Sequence, residues 1–287
     1  MAPTEVRRAG VLGSPVTHSL SPVLHLAAYR ALGLLDWTYD RIECDAARLP
    51  SLVSSLGSEW AGLSVTMPGK HAALSFATKA TARAVAVGAA NTLVRQDSGE
   101  WHADCTDVDG VVGALRAAGG YRPGSDDSGL VLGAGGTASA ALAGLSELGV
   151  RRVTVVLRDP TRAESVVACA KRLELSISVV PWAAADFAAL AAAAAVLVST
   201  TPSEAIAGLT DALALAGCVL DVIYHPWPTP LASAVLERGG RVATGLDMLL
   251  HQAFGQVAQF TGRPAPREAM RAALRAETGN SLPLPIE

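Results

Sequence analysis

The stretch Val131-Leu132-Gly133-Ala134-Gly135-Gly136-Thr137-Ala138 follows a short β-branched run and opens an alanine-rich segment of helical character. A strand that turns through glycines directly into a helix narrows the choice of fold sharply. It belongs to a sheet whose strands are joined by crossover helices. The spacing is G-x-G-x-x-A. Gly133 permits the tight turn, Gly135 lets the backbone approach a pyrophosphate, and Ala138 keeps the helix close to the sheet. The helix N-terminus supplies N–H groups and the positive end of its dipole. A glycine-rich turn alone is weak evidence, but here the strand–turn–helix context is present. Gly133, Ala134, Gly135, Gly136 and Thr137 are therefore candidates for binding a dinucleotide.

The rest of the chain obeys the same alternation. Strands are expected at Val6–Gly13, Trp37–Cys44, Gly62–Thr66, Leu130–Leu132, Arg152–Leu157, Ser176–Val180, Val196–Thr200, Val219–Ile223 and Arg241–Ala243. Helices are expected at Ser21–Leu32, Ala46–Ser55, Lys70–Ala77, Thr106–Ala118, Thr137–Leu148, Thr161–Leu173, Ala184–Ala194 and Pro230–Arg238, then Gly245–Thr261 and Pro266–Ala276. Ser21 is expected to cap the first helix, whose opening turn suits Pro22. Ala90–Arg95 and Trp101–Asp104 flank the turn Asp97-Ser98-Gly99 and read as a hairpin. Strands separated by helices of this length imply a parallel sheet covered on both faces. At about 100–200 residues per domain, 287 residues suggest two domains. The best linker candidate is the glycine-rich segment Gly119–Gly129.

Half the residues are hydrophobic and 17% are charged, enough apolar surface for a core in each domain. The net charge of −3 comes with scattered Lys and Arg, so no footprint for nucleic acid or an anionic membrane is expected. The longest apolar segment, Ala188–Val198, is too short to span a bilayer, and no apolar run for a signal peptide follows Arg7 and Arg8. Cys44, Cys105, Cys169 and Cys218 are too dispersed for a disulfide framework or a zinc knuckle, which fits a reducing, cytoplasmic setting. His102, His225 and His251 lack partners at metal-ligand spacing, so no metal is expected.

The second strand of the dinucleotide fold ends Val156-Leu157-Arg158-Asp159-Pro160-Thr161-Arg162. An acid there would bind a ribose hydroxyl, whereas arginine would pair with a 2′-phosphate. Both types are present. Arg158 and Arg162 favour NADP, with the alternative that Asp159 is a helix cap and Arg162 a solvated residue.

Four polar clusters end other strands: Gly13–Pro22, Gly88–Thr92, Asp104–Gly110 and Gly245–Ala253. Ligands of open α/β sheets bind beyond strand ends, so such loops mark a substrate crevice. Serines, Asn91 and Gln252 suit the hydroxyls of a small polyol. Lys70, after the break Met67-Pro68-Gly69, and Asp107 offer a cation–carboxylate pair. Oxidising an alcohol by hydride transfer requires removal of its proton, and a partly desolvated lysine can both shuttle that proton and stabilise the alkoxide. A surface ion pair is the duller alternative from these residues alone.

These motifs together resemble the shikimate dehydrogenase family over essentially the whole chain. The opening motif G-x-P-x-x-H-S-x-S-P-x-x-H is Gly13 to His25, V-T-x-P-x-K is Val65 to Lys70, and G-A-x-N-T is Gly88 to Thr92. N-T-D-x-x-G survives as Thr106-Asp107 with Gly110, G-A-G-G as Gly133 to Gly136, D-x-x-Y-x-P-x-x-T-P-L as Asp221 to Leu231, and G-x-x-M-L-x-x-Q-A as Gly245 to Ala253. The resemblance implies an α/β fold in two domains, an N-terminal α/β substrate domain plus a Rossmann-like dinucleotide-binding domain. Their expected extents are residues 1–106 with 246–287, and residues 107–245. It implies NADPH-dependent reduction of 3-dehydroshikimate to shikimate in aromatic amino-acid biosynthesis. Lys70 and Asp107 would be the catalytic pair, and Ser19, Ser21, Thr66, Asn91, Tyr224 and Gln252 would hold the substrate. Arg158 and Arg162 would join the glycine loop, Thr200 and Gly245 at the cofactor. The expected partner is a small molecule, with neither nucleic acid nor membrane, and the protein a monomer or homodimer.

The chain departs from the family pattern at Leu26, Ser64, Cys105 and Ser199, where asparagine is usual. Arg158 and Arg162 fall on the family's adenosine-phosphate motif N-R-T-x-x-R, but Leu157 and Asp159 replace its Asn and Thr, and Ser139 replaces the arginine common after the glycine loop. Two alternatives follow: a quinate or aminoshikimate dehydrogenase, linked to NADP or to NAD, and a catalytically silent protein that binds the metabolite or the dinucleotide.

Overall fold

The computed structural model describes residues 6–125 and 127–286. The start of the N-terminal stretch, Asp126 of the linker candidate and Glu287 lie outside the described residues. The chain forms two compact units. One comprises the chain up to Thr106 with Gln252–Leu284, the other Asp107–His251 with the residues from Pro285. The second crossing falls inside the helix Gly245–Thr261, after His251, and not at its start.

The first unit begins with β1 (Arg7–Gly13), α1 (Ser21–Ala31), β2 (Trp37–Glu43), α2 (Leu49–Ser54), β3 (Trp60–Val65), α3 (Lys70–Phe76), β4 (Lys79–Ala80), α4 (Ala82–Val87), β5 (Thr92–Arg95) and β6 (Trp101–Asp104). The sheet order is β2-β1-β3-β5-β6-β4. β1 runs parallel to β2 and β3, and the hairpin β5–β6 is antiparallel within itself and to β3. Every residue of β3 is buried, as expected of a strand covered on both faces. Ser21 does not cap α1. Leu20 is the N-cap residue and Ser21 is already helical, so its hydroxyl is directed to other partners. The short α4 and β4 have no counterpart among the expected elements. Thr81 accepts from the Ala84 N–H to start α4, and Gly88 in the left-handed region (φ 77°) ends it, too few turns for a periodic signature.

The second unit runs α5 (Asp107–Ala117), β7 (Ser128–Leu132), α6 (Gly136–Glu147), β8 (Arg152–Leu157), α7 (Ala163–Arg172), β9 (Ser176–Pro181), α8 (Phe187–Ala193), β10 (Val196–Ser199), α9 (Thr210–Leu213), β11 (Cys218–Asp221), α10 (Pro230–Glu237) and β12 (Arg241–Thr244). Its strands pair in parallel in the order β12-β11-β10-β7-β8-β9. Strand residues alternate between two cores. Val131, Val155, Val198 and Leu220 face Leu142, Leu145 and Cys169, while Leu130, Leu132, Val156, Leu197 and Val219 face Phe187, Leu213, Leu231 and Val235. This is the period-two pattern of a sheet sandwiched between helices. The glycine-rich segment 119–129 is not a boundary. Tyr121 is fully buried in the first of these cores and its hydroxyl donates to Asp127 at 2.7 Å, so the turn formers there shape a tight loop inside the unit.

The chain continues into α11 (Gly245–Thr261) and ends with α12 (Arg267–Glu277). Thr244 and Asp247 start α11 with a capping box. The Asp247 N–H donates to the Thr244 hydroxyl oxygen at 3.2 Å, and the Thr244 N–H donates to the Asp247 carboxylate at 2.9 Å. From Gln252 onward α11 lies on the sheet of the first unit. Gly62 of β3 is required there because a Cβ would collide with the Phe260 ring. α12 buries Met270 and Leu274 and packs against α1. Among the described residues no helix is long and apolar enough to cross a membrane. Cys44, Cys105, Cys169 and Cys218 are free and buried.

Candidate active site

In the first unit, sheet register and helix periodicity bring polar side chains from four elements together. β1 pairs Ala9 with Tyr39 and Val11 with Ser64, and β3 pairs Ser64 with Thr92. Residues two apart share a face, so Tyr39, Ser64 and Thr92 line one side of the sheet. Gln252 and Gln256, four apart on α11, point to that same side. The Tyr39 hydroxyl donates to Ser64 Oγ at 2.6 Å, and Ser64 donates to Gln256 Oε1 at 2.7 Å. Gln256 Nε2 donates to the Asn91 carbonyl and to Thr92 Oγ1, both at 3.1 Å.

Asn91 occupies the centre. Its Oδ1 accepts the Thr106 N–H at 2.7 Å and the Thr92 hydroxyl at 2.9 Å, and its Nδ2 donates to Gln252 Oε1 at 3.1 Å. Its N–H donates to the Asp104 carbonyl and its carbonyl accepts the Val65 N–H. Every group in this cluster is buried and bonded, as buried polar groups must be. At its edge the Ser19 hydroxyl donates to Ser21 Oγ at 3.2 Å, the Ser21 N–H donates to Ser19 Oγ at 3.3 Å, and Arg41 holds the Ser19 carbonyl at 2.9 Å. Burial lifts the Tyr39 phenol well above its ordinary range, over the opposing bonds from Ser64 and Ser21, so it stays protonated and donates. Burial likewise pulls the His25 imidazole down to about 3, against its bond to Gln256. His25 is neutral, its Nε2–H directed at Gln256 Oε1 (3.3 Å) and its ring stacked 4.1 Å from Tyr39.

Thr66 and Lys70 lie beyond the end of β3. The Thr66 N–H bonds the Leu12 carbonyl, and the Thr66 carbonyl accepts the Gly69 N–H in the turn that starts α3. Lys70 is the first residue of α3 and half-buried, and its carbonyl accepts the Ala90 N–H beside Asn91. Ser19, Ser21, Thr66, Lys70, Asn91 and Gln252 thus all belong to one unit. Asp107 opens α5 in the other unit, buried in a first turn where the helix dipole favours a carboxylate. Tyr224, also in the second unit, is half-buried on the loop after β11, its hydroxyl raised by burial.

The cofactor candidates follow the C-terminal ends of β7, β8, β10 and β12. β7 is flanked by β8 and β10, whose crossovers run in opposite directions, the switch point at which such sheets bind ligands. Gly133 has φ 111°, and a Cβ there would collide with the Thr200 hydroxyl, which donates to the Leu132 carbonyl at 2.7 Å. Around Gly135, by contrast, a Cβ would meet nothing within 4 Å, so the backbone at the α6 N-terminus faces open space. Gly136 and Thr137 begin α6, and Ala138 is fully buried against the sheet. Gly245 is required because a Cβ would collide with the Val222 carbonyl. Arg158 and Arg162 are exposed. Asp159 accepts from the Thr161 N–H and hydroxyl and pairs with Arg162 at 3.7 Å, which settles it as a cap. A glycine cradle, a helix N-terminus and an exposed arginine after β8 fit a phosphorylated dinucleotide. Among the described residues no cluster suited to a metal ion occurs.

Tyr39, Thr92, Thr106 and Gln256 were not assigned roles from sequence. The i,i+4 pair Gln252/Gln256 was a usable signal for the last. Tyr39 gave none, because only the β1–β2 register carries it to Ser64.

A family model described as the shikimate dehydrogenase substrate binding domain matches residues 11–93, and one described as the shikimate 5′-dehydrogenase C-terminal domain matches residues 245–275. The NADP(+) shikimate dehydrogenase of Afipia carboxidovorans is 38% identical over 283 residues, 96% of this chain and 98% of that protein. The crystal structure of Mycobacterium tuberculosis shikimate dehydrogenase superposes with a TM-score of 0.87 at 58% identity, covering 94% of this chain and 99% of that one. The Thermus thermophilus shikimate 5-dehydrogenase in complex with NADP(H) and shikimate gives 0.77 at 30% identity, covering 94% and 99%. With its glycine loop, strand-end clusters and buried carboxamide network in place, the chain belongs to the shikimate dehydrogenase family.

Proposed function

We infer that the protein catalyses the reversible NADPH-dependent reduction of 3-dehydroshikimate to shikimate, a step of aromatic amino-acid biosynthesis. The observation that carries this reading is the assembly of Ser19, Ser21, Asn91 and Gln252 around one bonded polar cluster, in a chain of this family. Hydroxyls and carboxamides suit a polyhydroxylated acid. The cofactor, held by Gly133–Thr137, Thr200, Gly245, Arg158 and Arg162, supplies the hydride when bound.

In this reading the unit that ends at Thr106 and resumes with Gln252–Leu284 holds the substrate, and the unit Asp107–His251 holds the dinucleotide. Lys70 gives its proton to the oxygen as the carbonyl becomes a hydroxyl, and stabilises the alkoxide in the reverse direction. Asp107 is the carboxylate partner in that transfer, and Tyr224 is a further substrate contact. Support for the pair is local: Lys70 is half-buried and tied through its carbonyl to Ala90, and Asp107 begins a helix. The protein acts on a small molecule in the cytoplasm, without nucleic acid or membrane, as a monomer or homodimer.

The test is steady-state turnover of shikimate and of quinate with NADP and with NAD. NADP-linked oxidation of shikimate supports the reading. Turnover confined to quinate transfers the chain to a different substrate, and tight dinucleotide binding without turnover of any cyclitol acid makes it a binding protein.

A further inference from the structure

The Gln256 carboxamide joins Ser64 and His25 on one side of the buried cluster to Asn91 and Thr92 on the other. It is 1% exposed. Its Oε1 accepts from Ser64 (2.7 Å) and His25 (3.3 Å), and its Nε2 donates to the Asn91 carbonyl and to Thr92 Oγ1. An amide oxygen can only accept and an amide nitrogen can only donate, whereas a hydroxyl does either. The Asn91 backbone carbonyl can only accept, so the Gln256 amide has one orientation that satisfies its neighbours.

That orientation propagates in both directions. On one side Ser64 must donate to Oε1, so its oxygen is left to accept from Tyr39, and the 2.6 Å bond between them runs that way. On the other side Thr92 must accept from Nε2, so its single proton is left for the Asn91 side, where Asn91 Oδ1 lies at 2.9 Å and Thr106 Oγ1 at 3.1 Å, and the Thr106 hydroxyl itself donates to Asn91 Oδ1 at 3.1 Å. Asn91 Oδ1 also takes the Thr106 N–H, and its Nδ2 is thereby directed at Gln252 Oε1. A flipped Asn91 would set Nδ2 against the Thr106 N–H and leave two buried donors facing each other, a loss that buried networks tolerate badly.

We propose that Gln256 is a positioning residue for the substrate side, its carboxamide acting through Thr92, together with the Thr106 N–H, to hold the orientation of Asn91 and, with it, of Gln252. The inference rests on the reading that Asn91 and Gln252 hold the substrate. It also accounts for Ser64 in a position where the family usually carries asparagine: the hydroxyl is consumed between Tyr39 and Gln256.

The test uses Gln256→Met, which keeps the shape and removes both functions of the amide, Thr92→Val, which removes the relaying hydroxyl, and the double variant. Each single variant raises the KM for shikimate about ten-fold, as expected for one mispointed hydrogen-bonding group, while the KM for NADP changes less than about two-fold. The double variant is no worse than either single, because both act along one chain. Side-chain amide NMR provides a second readout that needs no substrate. The Asn91 Nδ2 protons are protected from solvent exchange in the parent protein and exchange faster in each variant. An unchanged shikimate KM in folded single variants, multiplying effects in the double, or unaltered Asn91 exchange overturns the proposal. If Gln256→Met fails to fold, Thr92→Val with the exchange measurement decides it. A parent protein that turns over no shikimate sinks the functional reading, and the exchange rates still decide the positioning role.

Discussion

The Asp159 carboxylate accepts from the Thr161 N–H at 3.0 Å and from the Thr161 hydroxyl at 2.6 Å, and these bonds hold it below the usual carboxylate range. Its Oδ1 serves the turn that follows β8, its Oδ2 lies 3.7 Å from Arg162, and Arg158 precedes it, exposed. On the proposed reading the acid that would read a ribose hydroxyl is engaged by Thr161 and Arg162, and Arg158 meets the 2′-phosphate. Arg158→Ala is expected to raise the KM for NADP about ten- to a hundred-fold, the loss of a charge-assisted phosphate contact, and to leave the KM for NAD nearly unchanged. Asp159→Asn keeps an acceptor for Thr161 and should shift the NADP/NAD preference little. Steady-state kinetics with both cofactors check the two variants, and equal weakening by Arg158→Ala would show that it reads something other than the 2′-phosphate.

Two glycines of the same loop separate folding from binding. Gly133→Ala forces a side chain into a left-handed conformation and onto Thr200, and should cost about 1–3 kcal/mol of stability. A Cβ at Gly135 meets no protein atom within 4 Å and the residue sits in extended backbone, so Gly135→Val should cost at most about 1 kcal/mol of stability, that of a poorer N-cap. Its affinity for NADP should nevertheless fall about ten-fold, because the branched side chain stands where the pyrophosphate approaches the α6 N-terminus. Calorimetry and cofactor titration together distinguish the two outcomes.

Asp104 and Asp221 are both buried but shifted in opposite directions. Burial alone would raise the Asp104 carboxyl. Bonds from Arg83, Thr81 and Gln259 outweigh it and hold the group low. Asp104 therefore stabilises the fold above the carboxylate's unfolded pKa, and that stability is lost as pH falls through the lower folded value. At Asp221 burial prevails over the bonds from Thr229 and Ile223 and raises the carboxyl. Its ionised form costs stability at neutral pH, a cost relieved as pH falls through the raised folded value. Asp104→Asn should cost about 2–3 kcal/mol at pH 7, with Arg83 keeping some solvent, and should flatten the acid branch of the stability profile. Asp221→Asn should change stability by less than about 1 kcal/mol at pH 7. Urea denaturation across pH measures both.

Much of the fold was legible because its signals are local. The turn at Gly133 follows a strand and opens a helix, the hairpin flanks Asp97-Ser98-Gly99, and strand residues such as Val131 and Leu132 alternate between cores. The segment 119–129 misled because glycines and turn formers mark a loop without saying where a domain ends, and Tyr121 packs into the core. Ser21 looked like a cap because it precedes a helical stretch, yet α1 begins one residue earlier than that role requires. The motif residues of the site could be named in advance, but the network joining them could not. Tyr39 reaches Ser64 only through strand register, and Gln256 reaches Asn91 only because α11 returns over the sheet.

The most direct measurement is steady-state oxidation of shikimate with NADP by the purified protein and by its Lys70→Ala variant. NADP-linked turnover by the parent should drop ~100-fold or more in the variant, with the KM for shikimate within about three-fold, because a proton-transferring group acts mainly in the transition state. A parent that oxidises no shikimate, or a variant that loses affinity while keeping its turnover, would contradict the account.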